Sequence, residues 1–66
     1  MTAERKGLLM SAILTYLGNE VRKFNTEKVK QNLYQAQKTF DYGTEWITLA
    51  FLPDADIEMI ATKILG

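Results

Sequence analysis

The sequence predicts a mainly α fold in a single domain over residues 1–66, built from an antiparallel helical hairpin and a C-terminal helix. Three observations carry this. Apolar residues recur at steps of three and four in two runs, Met10, Leu14, Leu17, Val21, Phe24 and then Val29, Leu33, Ala36, Phe40, as along one helix face. Phe24-Asn25-Thr26 stands between the runs with residue types that open a helix. Pro53 followed by Asp54, Asp56 and Glu58 marks the start of a last helix.

The first helix is expected over about 2–24. Thr2 can accept a backbone N–H as N-cap, and Glu4 lies in the first turn, where the helix dipole favours an anion. Gly18-Asn19 could end it as a left-handed cap, yet Val21 and Phe24 continue the stripe. Residues Leu8 to Leu17 carry apolar side chains around about two-thirds of the helical wheel, more than one partner helix covers.

The second helix is expected over 26–41, with Asn25 as N-cap, Glu27 in the first turn and Phe24 against Val29 as a hydrophobic staple. Lys28, Asn32, Gln35 and Lys38 then fall on its polar face. Two readings of 39–52 are open. Either Tyr42-Gly43 ends the second helix and Thr44 caps a short third element over 44–52, or Gly43-Thr44 turns a β-hairpin of strands 39–42 and 45–52 in an α+β alternative. The fourth element is a helix over 54–65 with Asp54 as N-cap, Ile57, Ile60, Ala61, Ile64 and Leu65 inward, and Met59 and Ala55 on the other side.

Composition excludes more than it names. With no cysteine and no histidine, disulfide scaffolds, thiolate chemistry, sulfur or imidazole zinc sites and imidazole bases are absent. Asp54-Ala55-Asp56-Ile57-Glu58 does not make a calcium loop, because Met59 stands where glycine is needed and Leu65 where a bidentate glutamate belongs. No phosphate-cradling glycine loop or nucleophile elbow occurs. The sequence therefore predicts no enzyme, no metal and no cofactor. The apolar stretch Leu8–Leu17 is far short of the roughly 20 residues that span a bilayer and lacks a small-x-small cleavage site, so no membrane partner and a cytoplasmic location are expected.

Net charge is zero, yet the charges are segregated. Arg22, Lys23, Lys28, Lys30 and Lys38 face Glu27 alone between residues 22 and 38, whereas Asp41, Glu45, Asp54, Asp56 and Glu58 meet no basic residue between 41 and 58. Such a distribution steers charged or self-complementary contacts.

Two function classes follow. One is a small regulator or accessory factor that binds another protein, with homodimerisation through Leu8, Leu9, Ala12, Ile13 and Tyr16 covering the wide apolar arc of the first helix. The other is a nucleic-acid binder, or a binder of an acidic partner, through Lys28, Asn32, Gln35 and Lys38. A compact monomer in which later segments blanket the first helix from two sides is the rival to the dimer.

Overall fold

The computed structural model describes residues 1–33 and 36–66. Three helices follow in order: α1 (Ala3–Lys30), α2 (Tyr42–Ala50) and α3 (Asp54–Leu65). No strand occurs among the described residues, and the β-hairpin at 39–42/45–52 is replaced by a non-helical segment that leads into α2.

α1 begins as the sequence predicts, with the Thr2 hydroxyl accepting from the Arg5 backbone N–H at 3.1 Å. It does not stop at Phe24-Asn25-Thr26. The Thr26 hydroxyl donates back to the Arg22 carbonyl at 2.9 Å, which satisfies it inside the helix. Asn and Thr cost a helix only a few tenths of a kcal/mol to about 0.7 kcal/mol each, too little to break one that packing supports. The helix ends instead at Gln31, with Asn32 in the left-handed region at φ 57°. The Asn32 N–H donates to the Val29 carbonyl at 3.0 Å and the Leu33 N–H to the Lys28 carbonyl at 3.1 Å, the paired bonds of a Schellman turn. Asn32→Gly is expected to leave stability within about 0.5 kcal/mol, and Asn32→Val to lower it by 1 kcal/mol or more, because a β-branched residue resists positive φ. Parallel thermal melts of the two variants check this.

The predicted second helix over 26–41 is thus divided between the end of α1 and a returning segment, residues 36–41, which we call the strap. The helical hairpin survives with other arms, α1 and α2. The spacing of Val29, Leu33, Ala36 and Phe40 has no helical meaning here, since Val29, Leu33 and Ala36 are exposed.

α2 opens one turn earlier than Thr44 suggests. Asp41 caps it, its carboxylate accepting from the Thr44 N–H at 3.3 Å, so Gly43 lies within the first turn with no left-handed conformation. α3 matches its predicted bounds, but its cap differs. Pro53 holds the N-cap position without a side-chain bond, its carbonyl accepting from Asp56 and Ile57, and Asp54 is already helical.

The core sits at the crossing of the three helices: Met10, Ile13 and Leu14 of α1, Leu49 of α2, and Ile57 and Ala61 of α3. Trp46, Leu52, Ile60 and Ile64 close its edges, while Leu65, expected to face inward, is exposed. All three buried residues of α1 lie in its N-terminal half. A helix of 28 residues is about 42 Å long, and the molecule measures 45 × 24 × 15 Å. The C-terminal half of α1 therefore stands out from the three-helix head as an arm, with the strap laid along it.

Candidate interaction surface

The arm continues the core stripe of α1 through Leu17, Val21 and Phe24, which are only partly covered. What covers them is the strap. The Asn25 side-chain amide grips the Lys38 peptide from both sides: its Nδ2 donates to the Lys38 carbonyl and its Oδ1 accepts the Lys38 N–H, each at 3.0 Å. Lower down, the Phe40 ring lies over Gly18, close to where a β-carbon on that glycine would sit. Asn25 was legible as a cap because asparagine is a preferred cap residue; the partner it takes lies 13 residues on and leaves no local signal.

Two predicted residues converge on the arm. The Lys28 and Lys38 ammonium groups lie 5.2 and 4.4 Å from the centre of the Phe24 ring, within cation–π range. Asn32 does not join them on a helix face, because it forms the left-handed turn that ends α1. Gln35 lies outside the described residues.

Two shallow grooves flank the strap. On one side Val21, Val29 and Phe40 form apolar walls, and Arg22, Lys30 and Lys38 line the same groove without a carboxylate. On the other side Leu17, Phe24 and Phe40 are joined by Glu20 and Glu45, with Lys38 between the two grooves. The head engages its own cations differently. Lys6 and the N-terminal ammonium approach Asp54 at 3.4 and 3.9 Å, and Arg5 approaches Glu58 at 3.5 Å. Asp54 and Glu58, two of the acidic cluster, are thus tied to the start of α1. Such exposed pairs contribute at most about 1 kcal/mol each. Among the described residues, Arg22, Lys28, Lys30 and Lys38 have no carboxylate within pairing distance.

The predicted self-association surface is split. Ile13 is 1% exposed and belongs to the core, and Leu9 packs at the core edge. Ala12 is half-buried, whereas Leu8 and Tyr16 remain exposed at 68% and 42%. The physical reason is that α2 and α3 both pack on α1 and cover the arc from two sides. The apolar surface that stays open lies elsewhere as well, at Ile47 of α2 and at Phe51, the residue that caps it one turn on.

No helix among the described residues is long and apolar enough to cross a membrane. Comparison with protein families, with curated proteins and with solved structures finds no match to the chain.

Proposed function

We propose that the chain is a non-enzymatic interaction module, a small regulator or accessory factor that binds another protein through the arm, self-association included. The observation that carries this reading is the composition of the first groove, apolar walls with three cations and no carboxylate. A surface of that kind suits a segment that offers apolar anchors and carboxylates, with the anchors supplying affinity and the charges supplying orientation and rate. The half-covered stripe of α1 supports it further, since it places partly exposed apolar side chains beside those cations.

A synthetic amphipathic helix of leucine and glutamate, fluorescently labelled, is the probe. Its anisotropy is expected to saturate with the wild-type chain and with Leu8→Glu, and to shift to about tenfold weaker binding with Val29→Glu. Equal binding by all three, or by none, contradicts the reading.

A second reading, nucleic-acid binding, is favoured by one observation: Lys28 and Lys38 are gathered at a single aromatic ring. Binding to phosphates would fall steeply with salt and be lost on Lys28→Glu with Lys38→Glu. Binding of an apolar and acidic protein segment would fall less steeply with salt and would be weakened more by Val29→Glu than by Lys28→Glu.

A further inference from the structure

We infer that the chain exchanges its strap, α2 and α3 with a second copy, opening at the Gln31–Leu33 turn to form a two-fold dimer in which each α1 carries its partner's helices. This rests on the reading of the chain as an interaction module that self-associates, and names the form that association takes.

The fold is two pieces that meet across one turn. α2 and α3 each pack on α1 and touch one another only slightly. The hydrogen bonds between distant residues run the same way, from Asn25 to the Lys38 peptide and between Ser11 and Tyr42, as do the ion pairs of Lys6 with Asp54 and Arg5 with Glu58. Each joins α1 to a residue beyond the turn. A second copy's α1 offers the same partners, so opening the turn and closing onto that copy keeps the core, the grip on Lys38 and the ion pairs.

The direction of the chain permits this. The strap runs back from the tip of the arm antiparallel to α1, with Lys38 at Asn25 and Phe40 at Gly18. When the turn straightens, the chain continues past the tip along the line of α1 instead. A second copy placed tip to tip, across a two-fold axis perpendicular to α1, lays its own arm beside that path in the antiparallel sense the strap already has. Only the turn differs between the two forms.

The turn is also the strained element. Asn32 is a non-glycine residue at φ 57°, and straightening returns it to an ordinary conformation. Its two Schellman bonds give way to helical ones as α1 extends. Val29 and Leu33, four residues apart and 63% and 42% exposed in the closed form, are covered where the two extended tips cross. Lys28 and Lys30 of both copies gather at the same crossing, a repulsion that opposes the dimer and that salt screens. The closed monomer is therefore the form at low concentration, and the exchanged dimer is reached by refolding at high concentration.

The test places Arg5→Cys with Glu58→Cys, exposed positions whose charged groups approach at 3.5 Å, in a chain with no other cysteine, and bridges them with a short bis-maleimide. In a closed chain the bridge is internal. In the exchanged dimer it joins two chains, which then run at twice the chain mass on a denaturing gel. Each turn variant is refolded at about millimolar concentration and its dimer isolated by size exclusion before bridging. Asn32→Val and Asn32→Ala, which resist positive φ, are expected to raise the dimer fraction about tenfold over Asn32→Gly, which accepts it, and added salt to raise it further. Dimers whose bridges stay within single chains would overturn the exchange, as would an absence of dimer in every variant or an equal fraction in all three. Circular dichroism reports folding, and Asn32→Ala, without a β-branch, carries the test should Asn32→Val not fold. Peptide binding to the arm is read separately on Asn32→Gly, the closed monomer, so either reading can fail while the other stands.

Discussion

Ile57→Ala is expected to lower stability by roughly 2–5 kcal/mol, since a fully buried aliphatic side chain is cut back and the cavity cannot collapse between three helices. Ile57 is 0% exposed, and it is the residue through which α3 enters the core beside Met10, Ile13 and Leu14. A chain of 66 residues has a total stability of only about 3–10 kcal/mol, so the variant should lose a large fraction of it. Met59→Ala, on the outer side of the same helix and 53% exposed, should stay within about 0.5 kcal/mol of wild type. Urea titration followed by circular dichroism compares them, and similar losses for both would contradict the assigned core.

Asn25→Asp is expected to be nearly as damaging as Asn25→Ala, each by about 1–2 kcal/mol. Alanine loses both hydrogen bonds to the Lys38 peptide. Aspartate keeps an acceptor for the Lys38 N–H but replaces the donor with an anion facing a carbonyl oxygen. Were Asn25 a helix cap, aspartate would serve as well as asparagine. Hydrogen exchange at the Lys38 amide supplies an independent readout: about tenfold faster exchange in both variants is expected, with α3 amides unchanged.

The parts of this fold that could be read from the sequence are those whose cause is local. Thr2 caps the helix that follows it, and Pro53 with its acidic successors opens α3, whereas over 39–52 the sequence leaves helix and hairpin open and the structure makes Tyr42–Ala50 helical. What could not be read depends on distant partners. The i, i+3, i+4 spacing of Val29, Leu33, Ala36 and Phe40 is indistinguishable from a helix stripe until one knows that Asn25 holds the Lys38 peptide and Phe40 lies against Gly18. Asn32 illustrates the same difficulty, because it serves equally as a helix-face amide and as a left-handed terminus, and only the Schellman bonds decide. The surface suffered for the same reason. The spacing makes Lys28 and Lys38 neighbours on a helix face; they do meet, but around the Phe24 ring, Lys28 from α1 and Lys38 from the strap. The apolar arc reads as too wide for one chain, which puts Ile13 at an interface, but two helices together cover it.

The whole account depends on α1 running unbroken through Phe24-Asn25-Thr26, because only then is there an arm for the strap to lie on. The absence of native cysteine allows spin labels at Glu4→Cys and Lys30→Cys without background. Pulsed electron–electron double resonance between them should give a single narrow distribution near 39 Å, the length of about 26 helical residues at 1.5 Å each. A hairpin that turned at residue 25 would bring residue 30 back beside the first helix, and a distance under about 30 Å would contradict the arm and everything placed on it.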